Sequence, residues 1–301
     1  MPKTTVLRTA PCSVTGAVLT VEETRTGLRS LNLSGQCQSD IQVLGGTILS
    51  KKQPLELVQI MSVISLGWLD LIATPAGRAL LIGLGGGSIA RVLADNMAPG
   101  HSIHSVELEP EVLQAAVDFF ALALTPGRCT AEAGDGSGFI REHRRKCEAG
   151  TRSAPKFDVL ILDAFTSDGL CASTQQCRTI DDARACLTER GLLLVNLHTG
   201  DTDDPDYATA RRMLRALCAR FEAVYSVLCE STQNLIALCH MGESMSEEAW
   251  RTVLGKTLKQ PGVAAACGAL SLDGTLSRLK FVGGREQPMS DDEIECGVLP
   301  D

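Results

Sequence analysis

The sequence predicts an α/β fold: a doubly wound, mostly parallel sheet preceded by a small N-terminal β domain. Three observations predict it. An apolar run, Ala79–Ile82, ends in a glycine cluster, Gly83, Gly85, Gly86 and Gly87, and a helix-like segment, Ser88–Asn96, follows. Strand, tight turn and helix in that order form the opening unit of a nucleotide-binding sheet. Downstream, strand-like and helix-like segments alternate, which argues parallel strands joined by crossover helices. Upstream, Thr24-Arg25-Thr26-Gly27 separates two β-type runs, Ala17–Thr24 and Gly27–Leu33, and reads as a hairpin.

Taken in order, residues 1–12 read as a ragged end, and Ile41–Leu49 adds a further strand. Leu57, Ile60, Met61, Ile64 and Leu66 fall at helical spacing within Gln53–Leu71, with Pro54 suited to the first turn. After the glycine turn come a strand over Ile103–Glu107, a helix over Pro110–Leu122, a strand over Cys129–Ala133 and a helix over Gly138–Cys147. Phe157–Leu162 reads as a buried strand, Asp181–Glu189 as a helix, Gly191–Leu197 as a strand and Asp206–Arg220 as a helix. Ala223–Cys229 and Leu235–His240 read as a strand pair, and Ser246 caps a helix reaching Leu258. This divides the chain into a β-rich piece at 1–52, an α/β domain at 53–262 and a tail at 263–301 whose structure the composition does not determine.

The 301 residues carry a formal net charge of −8, which argues against nucleic acid as a partner, because phosphate binding favours a basic surface. None of the 12 cysteines stands in a C-x-x-C pair, so they read as reduced thiols without a metal site or disulfide frame. No window approaches the roughly 20 apolar residues of a membrane span, and no secretion signal is evident, so no membrane partner and a cytoplasmic location are expected.

In such sheets ligands bind beyond the carboxyl ends of the strands. Gly83–Gly87 follows the first parallel strand. Glu107 ends the second, 24 residues after Gly83, where an acid can accept both hydroxyls of a ribose. Asp135 and Gly136 follow the third, and Asp163 ends the fourth. Each group alone reads as a simple turn, helix cap or solvated charge; the glycine turn and three acids at four successive strand ends point to a nucleoside-type ligand. The turn lacks the full G-x-G-x-x-G spacing of a dinucleotide site, and an acid at Asp135 suits an adenine amine. S-adenosyl-L-methionine is therefore favoured over NAD. His198 and Asn196 read as a loop anchor, and Asp201–Asp206 as a helix start.

Ile82-Gly83-Leu84-Gly85-Gly86-Gly87-Ser88, Val106-Glu107-Leu108-Glu109-Pro110, Gly134-Asp135-Gly136 and the run from Phe157 to Phe165 together resemble the spermidine synthase-like branch of class I S-adenosylmethionine-dependent transferases. Gly83–Ser88 and Leu194-Val195-Asn196-Leu197 look closest to the methyltransferase-like 13 family. The resemblance implies a class I methyltransferase-type sheet, donor contacts at Gln38, Gly83, Gly85, Gly86, Gly87, Glu107, Asp135, Gly136 and Asp163, and catalytic work by Asp163, with Asp168 as a lesser candidate. It also implies an amine-bearing acceptor, protein or small molecule. Three features depart from true aminopropyltransferases. Gly86 stands where they carry the acid that holds the donor's amine, no tyrosine precedes Tyr207, and the acid after Asp163 is displaced to Asp168. A methyltransferase is the expectation, with a polyamine aminopropyltransferase and a non-catalytic scaffold as alternatives. The hairpin, too small to bury itself, adds the expectation of a homodimer.

Overall fold

The computed structural model describes residues 4–49, 55–150, 154–166, 169–171, 173–174, 176–199 and 205–285. Five strands come first: β1 (Thr4–Pro11), β2 (Val18–Thr24), β3 (Leu28–Leu33), β4 (Gln36–Leu44) and β5 (Thr47–Ile48), joined in that order as an antiparallel sheet. The expected ragged end is thus a strand, because Thr4–Pro11 finds its hydrogen bonds along β2. Ile41–Leu49 is not one strand, because Gly45 and Gly46 adopt positive φ and turn the chain back on itself.

The sheet's inner side, with Leu19, Val21, Leu31 and Ile41 all at 0% exposure, packs on Val112, Ala115 and Phe120. These last residues belong to or follow the third helix of the main domain. The cover that the hairpin lacks is therefore supplied within one chain, and burial of the hairpin gives no ground for a homodimer. Glu109 fastens the contact: its carboxylate accepts from the amides of Val14 and Thr15, at 3.0 and 2.7 Å.

The remaining chain runs α1 (Glu56–Ile72), β6 (Arg78–Ile82), α2 (Ser88–Asn96), β7 (Ser102–Glu107), α3 (Pro110–Phe119), β8 (Cys129–Ala133), α4 (Gly136–Glu148), β9 (Phe157–Leu162), the short pair β10 (Phe165–Thr166) and β11 (Gly169–Leu170), α5 (Cys177–Cys186), β12 (Leu187–His198), α6 (Pro205–Cys218), β13 (Ala223–Leu228), β14 (Asn234–His240), α7 (Glu247–Leu258), α8 (Pro261–Cys267), α9 (Leu272–Arg278) and β15 (Leu279–Gly283). The main sheet has the order β15-β13-β14-β12-β9-β6-β7-β8. Strands β12, β9, β6, β7 and β8 are parallel neighbours; β14, β13 and β15 complete the sheet antiparallel.

This is the predicted doubly wound, mostly parallel sheet with a small antiparallel β domain in front. Its apolar strands need cover on both faces, and two core clusters supply it. Met61, Ile64 and Leu69 of α1 with Trp250 lie on one side; Ile180, Leu214 and Leu217 lie on the other. The helix expected at Asp181–Glu189 starts earlier and stops at Cys186, because Leu187 already pairs with Phe157 in the sheet. The stretch after 262, undetermined in sequence, forms two short helices and an edge strand as far as Arg285. Among the described residues no helix is long and apolar enough to cross a membrane, and the eleven cysteines are free thiols; Cys296 lies outside them.

Strand order reverses at β6. From it the chain steps outward through β7 and β8, then returns to the other side for β9 and β12. The carboxyl ends of β6 and β9 therefore open onto a crevice, the place where open α/β sheets bind ligands.

Candidate functional site

A cleft of about 780 Å³ occupies that crevice. Its floor is the turn after β6. Gly83 has φ of +86°, and a Cβ there would lie 2.2 Å from the carbonyl oxygen of Asp163, so only glycine lets the two strand ends meet. The turn's amides are already directed. Leu84 and Gly85 donate to one oxygen of Glu107 at 2.8 and 3.2 Å, and Glu109 donates to the other at 3.1 Å. Glu107 is 8% exposed; burial pushes its carboxyl above the usual range, while the three amides pull against that shift. The acid at the end of β7 is thus held against the glycine turn with its remaining lone pairs toward the cleft.

Asp135 ends the β8 segment and caps α4, accepting from the amides of Ser137 and Gly138 at 3.2 and 3.1 Å. It also lines the cleft with Gly136. Gln38 reaches the same wall from β4. Asp163 stands where the halves of the cleft meet. It accepts from Nδ2 of Asn196 at 2.7 Å. Burial pushes its carboxyl up to about 7, against the Asn196 amide that holds it down, and the nearby Glu107 carboxylate adds to the rise. A carboxyl poised there can exchange a proton near neutrality.

The structure brings Gln38, Gly83, Gly85, Glu107, Asp135, Gly136 and Asp163 to one cleft. Gly86 and Gly87 are not part of its wall. The Gly86 amide donates to Ser39 Oγ at 2.8 Å, and a Cβ at Gly86 would lie 2.8 Å from Ser39 Cβ. The N-terminal sheet thus covers this amide, and Gly86, a donor contact implied by the resemblance, turns its amide to Ser39 instead. Gly87 has φ of +73° and begins α2 against Leu122. Asp168 lies outside the described residues.

The far wall holds residues that sequence reasoning missed or set aside: Phe165, Asn196, His198, Asp206, Thr232 and Asn234. Asn234 donates to Asn196 Oδ1 at 2.9 Å, and His198 Nδ1 lies 2.8 Å from Asp206 Oδ2. The anchoring expected of Asn196 and His198 is present, but both also face the cleft. Among the described residues, five carboxylates line the space (Asp40, Glu107, Asp135, Asp163 and Asp206) and no Lys or Arg does, a charge pattern suited to a cation. Elsewhere Cys12, Glu109 and Glu111 come within 4.8 Å of one another; both carboxylates are engaged by the amides of residues 13–15.

A doubly wound sheet with this cleft at its switch point is the fold of class I methyltransferases and spermidine synthases. No family model matches the chain. The eEF1A lysine and N-terminal methyltransferase of Bos taurus is 27% identical over 203 residues, covering 64% of this chain and 27% of that protein. The polyamine aminopropyltransferase of Neisseria meningitidis serogroup A is 27% identical over 148 residues, covering 49% of this chain and 52% of that protein. The chain thus spans about a quarter of the first relative's length and about half of the second's.

Among solved structures, a probable spermidine synthase from Corynebacterium glutamicum matches 100% of this chain and 96% of its own, with a TM-score of 0.67 at 16% identity. Human methyltransferase-like protein 13, solved in complex with SAH, matches 68% of this chain and 91% of its own, with a TM-score of 0.56 at 22% identity. The chain is thus similar in sequence to methyltransferases and polyamine aminopropyltransferases, and it shares the fold of spermidine synthases and of methyltransferase-like protein 13.

Proposed function

We propose that the chain is a methyltransferase that uses S-adenosyl-L-methionine and acts on an amine-bearing acceptor. The observation that carries the reading is Asp163: a carboxyl near neutrality, oriented by Asn196, in a cleft that is lined by carboxylates and, among the described residues, by no Lys or Arg. Glu107 would take the ribose hydroxyls and Asp135 the adenine amine, with Gln38, Gly83, Gly85 and Gly136 framing the donor.

An acceptor ammonium gives its proton to Asp163. The freed lone pair then attacks the donor methyl; the new N–C bond forms as the C–S bond breaks, and the sulfonium leaves as a neutral thioether. The proton on Asp163 passes later to water. Alignment of the two partners supplies most of the rate, up to about 7–11 kcal/mol in favourable cases.

Methyl transfer is preferred over aminopropyl transfer because position 86 carries no acid and its surroundings, filled by Ser39, leave no place for one. Aminopropyl transfer is the second reading, supported by the full-length likeness to a probable spermidine synthase. Calorimetry with intact and decarboxylated donors separates them. The intact donor is expected to bind more tightly; tight binding of the decarboxylated form with aminopropyl transfer to putrescine would establish the second reading instead.

A further inference from the structure

An ionised carboxylate accepts hydrogen bonds and donates none, so the Asn196 amide can face Asp163 only through its nitrogen. It does so at 2.7 Å, to Oδ1. The Asn196 oxygen then points the other way, where Nδ2 of Asn234 donates to it at 2.9 Å. The Asn196 amide thus has one orientation that satisfies both neighbours, the ionised acid and the Asn234 donor. Sheet register produces the meeting. Across the antiparallel pair β12/β14, Asn196 lies opposite Ile236 and His198 opposite Asn234, so the two asparagines are diagonal neighbours on one face. Asn196 is 2% exposed, and both side chains line the cleft.

We propose that Asn234 is a positioning residue for the reaction. By holding the Asn196 amide in one orientation, it ties Oδ1 of Asp163 and leaves Oδ2 as the oxygen that meets the acceptor's proton. This rests on the reading of Asp163 as the proton acceptor. Asn234 itself touches neither donor nor acceptor in this role. Without it, the Asn196 oxygen loses its donor from β14 and the amide can turn, placing oxygen against carboxylate. Glu107 at the end of β7 already opposes ionisation of Asp163, and Asn196 is the group that favours it. Asp40 on β4, Asp135 at the head of α4, His198 on β12 and Asp206 on α6 line the same cleft. Neutral variants at 234 leave all of these charges in place, so a change in Asp163 reports the hydrogen-bond chain alone.

The test is the titration of Asp163, read by carbon-13 NMR in aspartate-labelled protein, with the signal assigned by its loss in Asp163→Asn. Asn234→Ala is expected to raise the midpoint by about half a pH unit or more, roughly threefold in the protonation equilibrium. Asn234→Ser, which keeps a donor, should shift it less. Asn196→Ala should raise the midpoint too, and the double variant should go no further than Asn196→Ala alone. An unchanged midpoint in Asn234→Ala, or the same increment added in the Asn196→Ala background, would overturn the proposal. Should Asn196→Ala fail to fold, Asn234→Ala and Asn234→Ser decide alone, since position 234 is only partly buried. The midpoint is measured without donor or acceptor. A shifted midpoint in a protein that transfers no methyl group would discard the functional reading and keep the positioning.

Discussion

The two walls of the cleft are held in different ways. On the side proposed for the donor, side chains are anchored by backbone: Glu107 by the amides of Leu84, Gly85 and Glu109, Asp135 by those of Ser137 and Gly138. On the side proposed for the acceptor, side chains hold side chains: Asn196 holds Asp163, Asn234 holds Asn196, and His198 meets Asp206. Backbone amides are fixed once strand and helix have formed, so the donor wall is rigid by construction. The side proposed for the acceptor depends on side chains brought together from the end of β9, from β12, β14 and α6, and a single substitution can change it without disturbing the fold.

The comparison breaks most sharply at Asp163, where the walls meet. Asp163→Asn is expected to slow methyl transfer roughly 10²–10⁴-fold while donor affinity stays within about threefold, read by kinetics and calorimetry on the same protein. Wild-type transfer should rise with pH through about 7, because only the ionised acid can take the proton. Stability moves the opposite way. The folded carboxyl titrates near 7 and the unfolded one near 4, so the folded state holds the extra proton between these values. The contribution of Asp163 is fully present below about 4 and is lost as pH rises through about 7. Asp163→Asn should therefore raise the thermal midpoint at pH 8 and leave it nearly unchanged at pH 4.

The packing behind the proposed donor wall and the anchoring of Asp135 are tested next. Gly86→Ala drives a Cβ against Ser39 at 2.8 Å and should destabilise by about 1–3 kcal/mol in denaturant unfolding. Asp135→Ala removes a helix cap and should cost about 0.5–2 kcal/mol. Asp135→Ser restores a cap; if stability returns while donor affinity does not, the carboxylate also serves the ligand. The smallest effect belongs to the acceptor wall. His198→Ala should change stability by less than about 1 kcal/mol, since its contact with Asp206 is partly exposed, and should act on acceptor KM rather than donor binding.

The same contrast explains what could be read from the chain. Gly83–Gly87, Glu107 and Asp135 sit at strand ends in a local strand–turn–helix pattern, so their neighbourhood is visible within a few residues. Asn234 carries no local signal. It meets Asn196 across 38 positions, and only the β12/β14 register brings them together. Ser39 reaches Gly86 across 47 positions, a contact that no local pattern in the sequence announces. The strand Thr4–Pro11 was missed because its residues are mostly exposed and its identity comes from pairing with β2. Leu279–Gly283 is likewise a short edge strand defined by β13. Long buried runs such as Phe157–Leu162 needed no partner to be recognised.

The division of the cleft into a backbone-anchored donor wall and a side-chain-anchored acceptor wall is tested most directly by titrating S-adenosyl-L-homocysteine into Glu107→Ala and Asn234→Ala at pH 8. Glu107→Ala, which removes a hydrogen-bonding charged group, is expected to weaken binding about tenfold or more. Asn234→Ala should stay within about twofold of the wild type. Equal affinity in all three proteins, with the fold intact, would contradict the assignment of the strand-end acids to the donor.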